Sequence, residues 1–266
     1  MRAVSLCFHD AVTGADFDAS GFPGSSPAAY KMRVDEMDRH FEAIESARAD
    51  KPSKVEDFPG SDDDRKCPLF LTFDDGGVSS ATHIADLLEK RGWFGHFFIT
   101  ASRVDTRAFV SREQVRELRR RGHIVGSHSW SHPTRMAYCE WKQMQEEWTR
   151  SVGFLSDLLG QRVETASVPG GYYSAHVAEA AAEAGIRFLF NSEPQKRVSQ
   201  VQGCLVLGRY GLLRGMPPVF AAQLAAANLS RLQLRQYLFW NTKKVLKRIG
   251  GRGYLALRQV LLRHRR

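Results

Sequence analysis

Seven short apolar runs punctuate the chain, at residues 3–8, 69–73, 94–99, 123–127, 163–168, 186–190 and 204–207. Most lack the alternation of a half-buried strand, so they read as strands covered on both faces, the pattern of a parallel sheet. Between them lie helical patterns. Val34, Met37, Phe41 and Ile44 return to one side of a helix, with Arg, Asp and Glu between them. A helix over 80–91 stops at Gly92, and one over 111–121 opens on Ser111-x-x-Gln114, which resembles a capping box, and stops at Gly122. A long helix over 139–159 is closed by Gly160, and Ser174 caps an Ala-rich helix ended by Gly185. Strands alternating with helices predict a parallel sheet with helices outside, either wound open or closed as a barrel. Residues 50–66 are polar and acidic and contain Pro52, Pro59 and Gly60, the composition of a surface loop.

The length of 266 residues suits one α/β barrel with a small appendage better than two full domains. We divide the chain into a barrel over 1–218 and a basic helical C-terminal tail over 219–266. Cys7, Cys67, Cys139 and Cys204 form no Cys-x-x-Cys pair and read as reduced thiols. The first residues carry one arginine and then enter the 3–8 run, without the apolar core of a signal peptide. No uninterrupted apolar stretch approaches the roughly 18 residues that span a bilayer. The expected location is the cytoplasm, with a peripheral position on the inner face of the membrane as the variant that the tail suggests.

Charge separates the tail from the rest. Residues 231–266 hold eleven Lys or Arg and no acid, so a net charge of +9 becomes −2 for the preceding 230 residues. Leu234, Tyr237, Leu238, Val245 and Ile249 share one helical side while Arg235, Lys243 and Lys247 occupy another, with a break at Gly250-Gly251-Arg252-Gly253. A basic amphipathic helix fits an anionic membrane surface. The competing reading packs its apolar side on the barrel and solvates its charges. Nucleic acid is the weaker partner, because no recognised module accompanies the charge.

The chemistry-bearing residues obey a positional rule. His9, Asp74, Asp75, His128, Pro169-Gly170-Gly171 and Asn191-x-Glu193 each fall directly after a strand-like run, at the face where α/β folds collect ligands. Aspartate with two histidines, here completed by His132, is a ligand set suited to a borderline divalent ion such as zinc. An Asp-Asp-Gly turn and two solvated histidines remain the competing reading of the same residues. His96, inside a strand, reads as a core residue, and His83 and His176 as surface groups. Trp130 and Tyr172 flank the candidate site, where they either stack on a sugar ring or simply pack.

Thr72-Phe73-Asp74-Asp75-Gly76 and His128-Ser129-Trp130-Ser131-His132 resemble the first two motifs of the polysaccharide deacetylases. Phe97-Phe98-Ile99, residues 122–127 and Pro169-Gly170-Gly171-Tyr172 fit the same pattern, so the resemblance runs over about residues 3–210. It implies a distorted (β/α)7 barrel of the NodB homology type and one divalent metal ion, zinc by preference. Asp75, His128 and His132 would be the ligands and Asp74 the general base. Pro169, Gly170, Gly171 and Tyr172 would line the substrate, with a backbone N–H near Gly170 facing the oxyanion. The implied activity is removal of N-acetyl, less readily O-acetyl, groups from an acetylated oligo- or polysaccharide, such as a bacterial exopolysaccharide or its lipid-linked precursor.

Three departures qualify the resemblance. Ser167 stands where the family has an arginine that orients the base. Glu193 is the nearest candidate for the aspartate that pairs with that arginine. Val206-Leu207-Gly208-Arg209 lacks the late histidine that protonates the leaving amine. Val4-Ser5-Leu6-Cys7-Phe8-His9 has the form of that late motif at the other end of the chain, which assigns the acid to His9. A catalytically silent carbohydrate-binding or scaffold protein on the same fold is the alternative that these departures favour.

Overall fold

The computed structural model describes residues 1–60 and 67–226. The seven expected strands are all present, β4 and β10 with the expected bounds and the others trimmed at one or both ends, as β1 (Val4–Phe8), β4 (Leu69–Phe73), β5 (His96–Ile99), β6 (Ile124–Ser127), β7 (Thr165–Ser167), β8 (Phe188–Phe190) and β10 (Cys204–Leu207). Each is buried along its whole length, as runs without polar alternation require. Short strands β9 (Ser199–Val201) and β11 (Tyr210–Gly211) join them in one nine-stranded sheet of order β11-β1-β4-β5-β6-β7-β8-β10-β9, parallel except for β9. A small parallel pair, β2 (Ala11–Val12) and β3 (Met32–Arg33), stands apart.

The sheet curls into an α/β distorted barrel. Its first strand sits between β11, with Leu6 beside Tyr210, and β4, with Leu6 beside Leu71. The far edge returns to the same strand through an antiparallel Arg2–Arg197 bridge and an Ala3 N–H to Lys196 carbonyl bond of 2.9 Å. Helices cover the outside: a short α1 (Ser25–Ala28), then α2 (Val34–Ala47), α3 (Ala85–Glu89), α4 (Arg112–Arg120), α5 (Trp141–Leu159), α6 (Ala175–Glu183) and α7 (Pro218–Ala225). The capping box of α4 is complete, with Ser111 Oγ accepting from Gln114 N–H and Gln114 Oε1 from Ser111 N–H. Gly160 closes α5 in the left-handed conformation at φ 65°. The helix expected over 80–91 begins instead with a widened turn at Ser80–Ile84 that runs into α3.

Two apolar layers result. Phe8, Phe41, Phe73, Trp93 and Phe97 pack between sheet and helices. Phe70, Phe98, Phe188, Phe190 and Leu207 fill the barrel interior together with Val55 and Phe58. That last pair corrects the surface-loop reading of residues 50–66. Residues Val55–Gly60 form a short helical turn, Val55 N–H bonds His96 Nε2 at 3.0 Å, and Phe58 sets its ring edge-on to Phe70. An interior lined by large aromatic rings needs an apolar plug, and two apolar residues among polar ones carry no period that announces it. Residues 61–66 lie outside the described residues.

Residues 219–226, assigned from sequence to the tail, belong mostly to α7, which buries Ala221, Leu224 and Ala225 in the same cluster as Met37, Phe41 and Ile44 of α2. The basic residues 231–266 lie outside the described residues. Among the described residues no helix is long and apolar enough to cross a membrane. All four cysteines are free thiols, with Cys7 and Cys204 buried.

Candidate active site

The site occupies the carboxyl ends of β1, β4, β6 and β7. Past Phe73 the chain leaves β4 through Asp74 and Asp75, and Asp75 turns it sharply at φ 77°. A left-handed conformation costs a non-glycine residue on the order of 1 kcal/mol and persists where surroundings over-determine it. Here Asp74 N–H is held by the Phe8 carbonyl at 3.1 Å, and Gly77 lies so close to Asp10 and Ser20 that a Cβ there would fall 1.8 Å from Asp10 Oδ1. Asp10 Oδ1 in turn accepts from Ser20 Oγ at 2.7 Å and Ser79 Oγ at 2.8 Å, which ties the segment after β1 to the loop that carries the acids.

The histidine loop is fixed in a similar way. Ser129 and His132 both adopt positive φ, 64° and 62°, and Ser129 Oγ accepts from His132 N–H at 3.0 Å. Glu147 of α5 accepts from Ser131 N–H at 2.8 Å and Ser131 Oγ at 2.5 Å. The resulting turn aims both imidazoles at Asp75. His128 Nε2 and His132 Nε2 each lie 3.5 Å from Asp75 Oδ1.

That spacing is a test of whether these residues fit a metal ion. Two ligand atoms at about 2.1 Å from a shared ion and a near-tetrahedral angle stand roughly 3.4 Å apart, whereas hydrogen-bonded N and O atoms approach to about 2.9 Å. The ligand atoms of Asp75, His128 and His132 all fall within 4.8 Å of one another. His128 Nδ1 lies 3.0 Å from the Ser167 carbonyl and 2.5 Å from Ser167 Oγ, so it carries the proton and leaves Nε2 with its lone pair toward Asp75. Burial and the neighbouring His128 push His132 down to about 4, which keeps it neutral. For His128 burial works the other way from its neighbours, and the charges of Asp74 and Asp75 prevail and raise it. A cation at the centre would compete with that extra proton. The donor set fits a divalent ion.

Asp74 has a different set of neighbours. Arg209 Nη1 donates to its Oδ1 at 2.7 Å and Nη2 to its Oδ2 at 2.8 Å, a two-pronged clamp, and Ser167 Oγ donates to Oδ1 at 3.0 Å. Burial alone would raise this carboxyl, but the Arg209 charge and hydrogen bonds, with His128, hold it well below the usual carboxylate range. Asp75 is lowered too, burial being outweighed by the three histidines around it. Arg209 is itself buried between β10 and β11, with Nε on the Asn191 carbonyl at 3.0 Å and Nη1 on Thr72 Oγ1 at 3.2 Å.

Sequence reasoning missed Arg209. It named the residue only for the histidine absent there, although an arginine inside Val206-Leu207-Gly208-Arg209-Tyr210 is a charge in an apolar strand and so a signal for a buried partner. Ser167 links Asp74 to His128, accepting from His128 Nδ1–H and donating to Asp74 Oδ1. Glu193 meets Arg209 through its backbone carbonyl, 2.9 Å from Arg209 N–H.

His9 follows β1 directly and lies beside Asp74. Ligand atoms of Cys7, His9 and Asp74 fall within 4.8 Å of one another, and the His9 ring stands 4.8 Å from that of Tyr30. Its Nδ1 is buried without a hydrogen-bond partner. Burial lowers its pKa against the pull of Asp75 and Asp74. Cys7 Sγ lies 3.6 Å from Asp74 Oδ2, and burial pushes this thiol far up.

The third motif forms a tight turn, Pro169–Gly171, with Gly170 at φ 64°. A Cβ on Gly170 would come within 2.3 Å of the Thr134 carbonyl, so only glycine lets this turn approach the histidine loop. Tyr172 is buried and meets Tyr138 edge-on, with the Arg135 guanidinium over both rings. Trp130 packs against Phe154 and under Arg150 of α5. His96 is a core residue with both ring nitrogens engaged, Nδ1 at 2.9 Å from the Leu71 carbonyl and Nε2 on Val55 N–H.

Residues 61–189 match the family model for polysaccharide deacetylase. The peptidoglycan-N-acetylglucosamine deacetylase PgdA of Listeria monocytogenes is 29% identical over 127 residues, which are 47% of this chain and 26% of that protein. Among solved structures, the Streptococcus pyogenes deacetylase PplD, determined in complex with acetate, aligns with a TM-score of 0.68 at 17% identity, covering 82% of this chain and 95% of its own. IcaB from Ammonifex degensii aligns with a TM-score of 0.65 at 22% identity, covering 84% and 97%. At such identities the structural likeness concerns the fold. The chain spans about half or less of the length of the first curated relatives it matches, 47%, 53% and 26%.

Proposed function

Through residues 61–189 the chain belongs to the polysaccharide deacetylase family, and on that ground we propose that it is a metal-dependent hydrolase that removes N-acetyl groups from a bacterial polysaccharide or its lipid-linked precursor. The observation that carries this reading is the convergence of His128 Nε2 and His132 Nε2 on Asp75 Oδ1, 3.5 Å each, beside a carboxylate clamped by Arg209. O-acetyl removal uses the same groups but asks less of a proton donor, because an alkoxide leaves more readily than an amine anion.

Asp75, His128 and His132 would hold a divalent cation, zinc by preference, which would supply Lewis acidity toward the acetyl carbonyl and the attacking water. Asp74 accepts the proton of that water. Arg209 holds its pKa low and fixes the orientation of both oxygens, so that Asp74 is poised as an ionised proton acceptor. His9, its pKa lowered by burial and a ligand atom of it within 4.8 Å of one of Asp74, is the group that would carry a proton to the departing amine. Gly170 lets the Pro169–Gly171 turn come close, which leaves backbone donors rather than side chains to face the developing oxyanion. Tyr172 would contact the sugar.

The silent-scaffold alternative drew on Ser167 in place of the family arginine and on the missing late histidine. Arg209 supplies a guanidinium to Asp74 from the segment between β10 and β11, which removes the first of these motives. The deciding experiment is metal analysis of the purified chain followed by acetate release from N-acetylated and O-acetylated oligosaccharides. Turnover of the N-acetylated series that stops on chelation and returns with added zinc is the expected result. A metal-free chain that binds these sugars without releasing acetate would establish the scaffold reading.

A further inference from the structure

One side of the mouth carries a patch that the reaction itself does not use. Among the described residues four large apolar side chains are exposed, Met1, Tyr138, Trp141 and Val219. The two aromatic ones stand three positions apart, 56% and 38% exposed. Aromatic surface left in water and rimmed by polar groups marks a binding face. Between this pair and the candidate metal ligands lies Arg135. Its guanidinium rests 3.8 Å from the centre of the Tyr138 ring and 5.5 Å from that of Tyr172.

Three links hold the patch beside the reacting groups. Arg135 follows the candidate ligand His132 by three residues, so their Cα atoms are at most about 11 Å apart. A Cβ on Gly170 would collide with the carbonyl of Thr134, so the histidine loop and the Pro169–Gly171 turn touch immediately before Arg135. Ala137 N–H donates to the Tyr172 carbonyl at 3.2 Å. A glycan whose acetyl group enters the site along this turn would set a neighbouring sugar over Arg135 and Tyr138.

What Arg135 lacks is an acceptor. A guanidinium has five N–H donors, yet no described residue accepts a hydrogen bond from this one, and its Nε is buried without a partner. The acids nearest to it are otherwise engaged or offset. Glu147 accepts from Ser131 N–H at 2.8 Å and Ser131 Oγ at 2.5 Å, and Glu140 is exposed at the start of α5 with Lys142, also exposed, two positions on. On α6, Glu179 pairs with His176 at 2.8 Å and Glu183 accepts from Gln145 Nε2 at 2.7 Å. Asp74 and Asp75 would repel an anionic sugar at this range, so such a substrate needs a cation of its own.

We infer that Arg135, with Tyr138 and Trp141, binds a carboxylate-bearing sugar next to the N-acetylated one, so that the substrate is an acidic glycan containing uronate residues. That conclusion rests on the deacetylase reading above and gives it a substrate class. Stacking on Tyr138 covers one face of the guanidinium and leaves its edge, where parallel N–H groups match the two oxygens of a carboxylate. The exposed rings offer their faces to the sugars themselves. A phosphate monoester, nearly doubly charged, would call for a second cation, and Glu140 offsets Lys142.

The test uses the full chain with added zinc and three sets of oligosaccharides. One alternates N-acetylglucosamine with glucuronate, the second has each carboxyl reduced to a primary alcohol, and the third carries a phosphate ester on that alcohol. Acetate release gives kcat and KM, and calorimetry gives binding. The uronate set should be favoured over the reduced set by about 10–100-fold in kcat/KM and in affinity, the worth of one charge-assisted pair. Arg135→Gln should erase that preference, chiefly through KM, with the melting temperature held, and Arg135→Lys should keep part of it. Lys142→Gln should leave the preference intact. Tyr138→Ala and Trp141→Ala should weaken both sets alike, by about 2–10-fold. Equal affinity and kcat/KM for the uronate and reduced sets, a preference that survives Arg135→Gln or falls as far in Lys142→Gln, or a preference for the phosphate set would each overturn the inference. No acetate from any set, with uronate binding still lost in Arg135→Gln, would strike the proposed reaction and uphold this binding site.

Discussion

Arg209 reaches across 135 positions of sequence to hold both oxygens of Asp74, with bonds of 2.7 and 2.8 Å. Both residues are almost wholly buried. A charge taken out of water is tolerable only when paired this closely, so the pair is at once a structural and a chemical device. It ties Asp74, the proposed base, to the segment between the last two strands, β10 and β11.

Replacing Arg209 by Met leaves a buried carboxylate unpaired. We expect a loss of about 3–5 kcal/mol in stability and at least about 10²-fold in turnover. Arg209→Lys keeps the charge without the fork and should fall between. Asp74 is held below its unfolded value, so its contribution to stability is present above about pH 4 and lost as pH falls through the depressed folded value. In Arg209→Met that value rises, and the acid limb of kcat/KM should move to higher pH. A profile that does not move would separate Asp74 from the base role.

Metal content should depend on all three ligands. Asp75→Asn is the informative variant, since Asn tolerates the left-handed backbone that position 75 adopts at φ 77° while it loses the charge. Elemental analysis should find the ion depleted in Asp75→Asn and His128→Ala, with circular dichroism unchanged. Full occupancy in His128→Ala would contradict the assignment.

His9→Ala should lower kcat by about 10²–10⁴-fold with metal and fold retained. The acid is needed for an amine leaving group, so an activated acetyl ester should suffer much less. Near-normal turnover of an N-acetyl sugar would sink the role.

Ser167→Ala cuts the link from His128 Nδ1 through Oγ to Asp74, spanning 2.5 and 3.0 Å. Loss of such an outer partner typically costs about 10–100-fold in metal affinity or activity. Zinc titration against a competing chelator should report it. An unchanged affinity and rate would mean that the Ser167 carbonyl alone orients the imidazole.

Asp10 gives a pH signature in the metal-free protein. Burial pushes it up to about 6 from 3.8, so its share of stability is present below about pH 4 and lost as pH rises through 6. The difference corresponds to about 3 kcal/mol. Asp10→Asn should flatten the decline in melting temperature between pH 4 and 7. A parallel decline in both proteins would show that another group is responsible.

The periodicity of the chain determined the elements. Seven apolar runs, the capping box at Ser111 and the stop at Gly160 depend on neighbours in sequence, and local patterns report such dependence directly. The rule that polar residues after strands gather at one face brought Asp74, Asp75, His9, His128 and the 169–171 turn into one view, because a parallel sheet carries all strand ends to the same side. What no local pattern contains is which distant groups share a dielectric cavity. Arg209 on Asp74, Ser167 between ligand and base, and Phe58 in the barrel interior are pairings across 135, 93 and 12 positions. Each was decided by how the sheet curls: closing it sets β1, β4, β7 and the last strands around one buried volume, where an unpaired carboxylate or an empty interior would be too costly to leave.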